Sequence, residues 1–211
     1  MLLTVIDYGV GNLRSIAKSI EKANSDNNLN YSVKVSSDIN DVEKSDKIVL
    51  PGQGSFKACK AGIDNIKGLQ TELNESVLIK KKPIYGICAG MQLFATKGYE
   101  EETTKGLNWI PGEVNKLDLG SSNLKIPHMG WNDLKIENNS KVFKDINNKN
   151  HAYFIHSYEF IPDDKNVISL TSNYGKDFIA AVSLGNIFGS QFHPEKSQST
   201  GIKILTNFLN L

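Results

Sequence analysis

The stretch that most restricts the fold is Pro83-Ile84-Tyr85-Gly86-Ile87-Cys88-Ala89-Gly90-Met91-Gln92. A short apolar run ends in Gly-Ile-Cys-Ala-Gly, and Met91 to Thr96 is compatible with a helix. The pattern predicts a strand, a sharp turn with Cys88 at its tip, and a helix behind it. Gly86 and Gly90 flank Cys88 at the places where a Cβ would collide as strand and helix approach. A cysteine on such a turn sits in a strained, exposed backbone. The helix N-terminus beside it offers a positive dipole end and free N–H groups, which suit a thiolate or an oxyanion. A buried structural cysteine at a strand–helix junction satisfies the same pattern.

A chain of 211 residues suits one α/β domain with a substantial core. The formal charge is +1, from 24 basic and 23 acidic side chains, which gives no footing for a polyanion partner. Two cysteines, Cys59 and Cys88, are too few for a disulfide framework. A reducing, cytoplasmic setting fits, with one thiol free for chemistry. No apolar run reaches membrane-spanning length, and the N-terminus lacks a basic region before its apolar run, so it reads as a first strand.

Leu2 to Ile6 is nearly all apolar, as expected of a central parallel strand covered on both faces. A glycine turn follows, and Leu13, Ile16, Ala17 and Ile20 recur at helical spacing, which starts a helix near Asn12 or Leu13. Strand, turn, helix opens a doubly wound domain. Gly9-Val10-Gly11 lacks the third glycine of a dinucleotide fingerprint, because Arg14 stands there. Tyr31 to Val35 and Asp46 to Leu50 give two further strands. The second stops at Pro51-Gly52-Gln53-Gly54, at the strand end where open α/β sheets bind ligands. That turn suits either an anion nest or an ordinary strand-to-loop connection. Ile63, Ile66, Leu73 and Val77 carry a loose helical pattern up to a solvated Lys80-Lys81-Lys82 end.

Tyr99 to Lys105 reads as a loop or frayed helix, and Gly112 to Leu119 as a strand. Pro127-His128-Met129-Gly130-Trp131-Asn132 reads as a rigid loop, either a contact surface or an aromatic plug at the core edge. Ala152 to Phe160 is a strong strand candidate, followed by Val167 to Leu170 and Phe178 to Val182. A hairpin turn at Leu184-Gly185-Asn186-Ile187 leads toward His193-Pro194-Glu195-Lys196-Ser197, and Ile202, Leu205, Thr206 and Leu209 form a closing amphipathic helix. One mixed-sheet domain accounts for the whole order.

A cysteine nucleophile needs a base, and the base an orienting acceptor. Of His128, His151, His156 and His193, the last is best placed, because Glu195 follows in the same stiff segment and can orient its ring. Cys88 and His193 are far apart in the chain, so only the fold can join them. A structural histidine or a metal site remain alternatives, although no CxxC or HExxH ligand spacing is present.

The segments Asp7 to Leu13, Pro51 to Phe56, Gly86 to Leu93, Pro127 to Asn132, Tyr153 to Tyr158 and Gln191 to Ser197 resemble those of class I, triad-type glutamine amidotransferases. They are most similar to the glutaminase subunits of imidazole glycerol phosphate synthases. The resemblance spans the chain and implies one glutamine amidotransferase domain over residues 1–211. Its fold would be a single three-layer α/β domain with a largely parallel, mixed central sheet, of flavodoxin-like type. It implies Cys88 as nucleophile, His193 as base and Glu195 as orienting acid, with no metal and no organic cofactor. Oxyanion donors would be backbone N–H groups of Ala89 and of Gly52 or Gln53, after a peptide there reorients. Gln92 and His156-Ser157-Tyr158 would hold the amino-acid end of glutamine. The implied partner is a (β/α)₈-barrel cyclase in a 1:1 heterodimer, with Trp131 and Lys196 near the interface and tunnel entrance. Ammonia passed to that barrel would yield imidazole glycerol phosphate and aminoimidazole carboxamide ribonucleotide in histidine biosynthesis.

Two positions depart from the family pattern. Ala89 stands where a larger aliphatic is frequent, and Gln53 where valine is common. Both implied roles use the backbone alone. Two rival functions remain at this level: a glutaminase serving a different acceptor synthase, and a catalytically silent subunit that only stabilises a partner.

Overall fold

The computed structural model describes residues 1–148 and 150–211. Its centre is an eight-stranded sheet. Leu2–Ile6 pairs in parallel with Ser32–Ser36 on one side and Lys47–Leu50 on the other. Lys47–Leu50 then pairs in parallel with Ile84–Ile87, and Ile84–Ile87 with Ile187–Ser190. Beyond that the sheet turns antiparallel through Lys176–Leu184, Ile168–Tyr174 and Lys135–Ile136.

Alternation along the parallel strands builds two cores. Leu3, Val5, Val49, Tyr85 and Ile87 face Ile16 and Ile20 of helix Leu13–Asp26 and Ile204 and Phe208 of helix Gln198–Leu209. Ile6, Ile48, Leu50 and Ile84 face Phe56, Cys59 and Ile63 of helix Phe56–Asn65 and Leu69 and Leu73 of helix Leu69–Asn74. Period-two strands buried on both faces thus give the three layers expected from the sequence.

Several local expectations are corrected. The pattern from Ile63 to Val77 is broken into two helices and a π-helical turn, Glu75–Ile79, because Gly68 at φ 88° interrupts it. Behind Cys88 there is one helical turn, Ala89–Gln92, and no helix through Thr96. The carbonyls of Leu93, Phe94 and Ala95 instead accept from the N–H groups of Leu107, Asn108, Trp109 and Ile110. Two-residue strands, Lys97–Gly98 and Thr104–Lys105, flank the Glu100–Glu102 bend that reads as loop or helix. The strand expected over Gly112 to Leu119 ends at Lys116.

The run Ala152 to Phe160 is two strands broken at Ser157. His151–His156 pairs with His128–Asp133, so the expected Pro127–Asn132 loop is mostly a strand. Tyr158–Pro162 joins Gly112–Lys116 in a separate four-stranded sheet. The described residues therefore form two small sheets besides the central one. No helix among the described residues is long and apolar enough to cross a membrane.

Candidate active site

Three neighbouring parallel strands end side by side, and their next residues are the ones with chemistry. Lys47–Leu50 runs into Pro51-Gly52-Gln53-Gly54, Ile84–Ile87 into Cys88, and Ile187–Ser190 into Gln191-Phe192-His193. Ile87 is in register with Ser190, and the Cys88 N–H continues the ladder to Ser190 O at 2.8 Å. This pairing is what joins a cysteine and a histidine that are remote in sequence.

Cys88 has φ 54° and ψ −115°, an unfavourable conformation for a residue with a Cβ. The close approach behind it explains the flanking glycines. A Cβ on Gly86 would lie 2.8 Å from the Met91 backbone, as strand and helix close. A Cβ on Gly90 would lie 2.1 Å from Leu50 O, and one on Gly52 would lie 2.0 Å from Gly90 N. The Pro51–Gly54 segment is thereby seated against the Ala89–Gly90 peptide. The Tyr8 hydroxyl, buried beneath it, donates to Pro51 O.

His193 is buried, and its Nδ1 lies 2.8 Å from Glu195 Oε1. Both sit at the start of the short helical turn Pro194–Lys196. Burial works against a charged ring, but the Cys88 sulfur and the Glu195 carboxylate outweigh it and raise the His193 pKa to about 10. The ring therefore keeps its proton beside the sulfur at neutral pH. Expected triad members Cys88, His193 and Glu195 are thus brought together.

The other wall comes from strand His151–His156 and the bend after it. Ile155 O lies 3.9 Å from Cys88 Sγ, and His193 N–H bonds Tyr153 O at 3.0 Å. Gln92 and His156, which the resemblance sets at the amino-acid end of glutamine, both point into internal hydrogen bonds. Gln92 Nε2 donates to Tyr158 O at 3.0 Å and to Gln191 Oε1 at 2.8 Å. His156 Nδ1 lies 3.0 Å from Tyr158 O, and its Nε2 3.0 Å from His128 Nδ1. Ser157 and Tyr158 are half-buried at the bend.

Two residues of the quoted segments carry no role in the sequence reading. Gln191 is fully buried with its Nε2 3.5 Å from Cys88 Sγ. Tyr153 carries the Trp131 ring edge-on at 6.0 Å and the Lys196 ammonium at 5.7 Å from its ring centre. Trp131 and Tyr153 are register partners, and this is the signal a strand assignment would have supplied. Trp131 and Met129 are exposed on one face of their strand, and His128, before Met129, is buried. Trp131 also lines a 440 Å³ cavity with Asn150, His151 and residues 197–200.

Known proteins match this chain over its whole length. Residues 4–211 match the family model of glutamine amidotransferase class-I. The chain is 51% identical over 211 residues to the imidazole glycerol phosphate synthase subunit HisH of Pelagibacter ubique, with 100% of both chains covered. It is 44% identical over 210 residues to subunit HisH 1 of Campylobacter jejuni, again covering 100% of both. A crystal structure of a glutamine amidotransferase from Thermotoga maritima superposes with a TM-score of 0.64 at 17% identity, over 92% of this chain and 76% of that one, a likeness of fold. With the whole-length match and the identity of these relatives, the chain belongs to the class-I glutamine amidotransferase family.

Proposed function

We propose that this protein hydrolyses glutamine through Cys88 and delivers the ammonia to a cyclase partner in histidine biosynthesis. The observation that carries the chemistry is the strained Cys88 beside a buried His193 that is itself held by Glu195. The acceptor side rests on the HisH relatives, which match over the full length of the chain.

In the proposed sequence of events the Cys88 thiolate attacks the side-chain amide carbon of glutamine. Negative charge on the tetrahedral oxygen is met by backbone N–H groups of Ala89 and of Gly52 or Gln53, which lie against one another. His193 gives its proton to departing ammonia and leaves a γ-glutamyl thioester. Water activated by His193 releases glutamate and restores the thiol. Glu195 orients the ring throughout. The Ser157–Tyr158 bend borders the amino-acid end of the substrate, with Gln92 and His156 holding that bend from behind.

Residues 1–211 act as one glutamine amidotransferase domain. The partner is a (β/α)₈-barrel cyclase in a 1:1 complex, which uses the ammonia to make imidazole glycerol phosphate and aminoimidazole carboxamide ribonucleotide. It docks on the face where Trp131, Met129 and Lys196 are exposed, and a cytoplasmic setting keeps both cysteines reduced. The test is glutamate release by the purified chain, alone and then with the cyclase subunit and a cyclase-site ligand. Weak turnover alone that rises in the complex supports the coupled glutaminase. No turnover in either overturns it, and turnover that no cyclase binds or alters points to a different acceptor synthase.

A further inference from the structure

One hydrogen-bonded chain runs from the strand that exposes Met129 and Trp131 to the sulfur of Cys88. Asn132 Nδ2 lies 3.3 Å from His128 Nε2 and also donates to Asn173 O at 2.8 Å. His128 Nδ1 meets His156 Nε2 at 3.0 Å, and His156 Nδ1 meets Tyr158 O at 3.0 Å. Tyr158 O also accepts from Gln92 Nε2, which reaches Gln191 Oε1 at 2.8 Å. Gln191 Nε2 closes the chain at 3.5 Å from Cys88 Sγ.

Donors and acceptors permit one arrangement of these groups. A carbonyl can only accept, so His156 Nδ1 carries the proton and its Nε2 accepts. His128 Nδ1 must then donate, and His128 Nε2 accepts from Asn132. Both hydrogens of the Gln92 amide are spent on acceptors, so that amide cannot turn over. Gln191 Oε1 is held by Gln92, and its N–H₂ end is left facing the sulfur. The arrangement requires both imidazoles neutral, and burial lowers both, His128 to about 4 and His156 to about 3. His128 is further fixed between Tyr174, at 4.2 Å between ring centres, and Phe154, at 5.0 Å.

Besides the protonated His193 ring, the sulfur has two neighbours of opposite preference. Ile155 O, 3.9 Å away, can accept only from the neutral thiol. The Gln191 amide donates best to the thiolate, since bonds to an ionised group are the stronger ones. We propose that Gln191 holds Cys88 as the attacking thiolate, and that His128 is a positioning residue that fixes the Gln191 amide through His156, the Tyr158 carbonyl and Gln92. The exposed strand beside Trp131 and the nucleophile then share one rigid polar connection. The proposal rests on Cys88 being the nucleophile.

The test is the alkylation rate of Cys88 by iodoacetamide, followed peptide by peptide in the full chain, alongside glutamine turnover. Gln191→Met keeps the volume and removes the donor. Alkylation at neutral pH falls about tenfold, the order expected for a hydrogen bond to a charged group. Turnover falls with it while KM stays within about twofold. His128→Phe keeps the ring stack and removes the relay, so it slows alkylation by a smaller factor of about three, and His128→Asn, whose amide nitrogen can replace Nδ1, restores it. The Gln191→Met/His128→Phe double variant behaves as Gln191→Met alone, because both act through one bond.

Wild-type alkylation rates in Gln191→Met overturn the proposal. So does a His128→Phe effect that adds in full to that of Gln191→Met, or one that appears in stability and leaves alkylation unchanged. Failure of the wild-type chain to release glutamate would instead count against the glutaminase reading, and would leave the alkylation comparison standing on its own.

Discussion

Cys59 and Cys88 are both buried free thiols in the same half of the chain, and their surroundings differ in every respect that matters for reactivity. Cys59 sits inside a regular helix, packed in the apolar cluster with Phe56, Ile63 and Phe94. Its nearest acceptor is Gln53 O at 3.8 Å, and burial pushes its thiol up to about 11 despite the Tyr8 hydroxyl beside it. Cys88 is on a backbone strained to φ 54°, with an amide donor and a protonated imidazole aimed at its sulfur. Burial alone keeps a thiol neutral and inert. Burial with oriented donors makes a nucleophile.

The comparison is broken most directly at Cys88. Cys88→Ala removes the proposed nucleophile and should lower glutamine turnover by at least about 10³-fold with the fold intact, as judged by circular dichroism. Turnover surviving in that variant would move the chemistry elsewhere.

The polar side of the comparison titrates. His128 and His156 have folded-state pKa values of about 4 and about 3, below the ordinary 6.5. As pH falls, the unfolded chain takes up these protons first. Stability contributed above about pH 6.5 is therefore lost between there and about pH 4, on the order of 3 kcal/mol for His128 alone. Urea titrations of wild type and His128→Phe across that window measure it, and the variant should lose less with acid.

Glu195→Gln leaves His193 without its charged acceptor and should cost about a hundredfold in turnover, less than loss of Cys88, because the role proposed for Glu195 is to orient the ring. Equal losses in two folded variants would contradict that ranking. Gly90→Ala places a methyl 2.1 Å from Leu50 O and should destabilise the protein by about 2 kcal/mol in denaturant titrations. Cys59→Ala sharpens the contrast from the other side. It should cost only about 1 kcal/mol of stability, and turnover should stay within about twofold of wild type.

Where the sequence was informative, it was so because local chemistry and fold agree. The apolar run Leu2–Ile6, the helix beginning at Leu13 and the Cys88 turn each carry their own periodicity or glycine signature. So does the closing helix, which begins at Gln198. The proposed triad residues were legible for a related reason, since Cys88 and the His193–Glu195 pair each lie just beyond a strand.

What was hidden depends on partners remote in sequence. Ala152 to Phe160 looks continuous because both of its strands are apolar, yet the chain changes sheets at Ser157. The helix after Cys88 stops early because residues 107–110 take over its carbonyls. His128 reads as part of a contact loop, and its real neighbours, His156 and Tyr174, come from elements that no local pattern connects to it. Gln191 shows least of all. A glutamine at a strand end is unremarkable until Gln92 fixes its amide and Cys88 lies in front of it.

The most direct measurement is to quench the protein in acid during turnover of glutamine and weigh its peptides. The account predicts one glutamyl group in thioester linkage on the peptide carrying Cys88, absent in Cys88→Ala, and an unmodified Cys59. Glutamine consumed with Cys88 unmodified, or the glutamyl group found on Cys59, would contradict it.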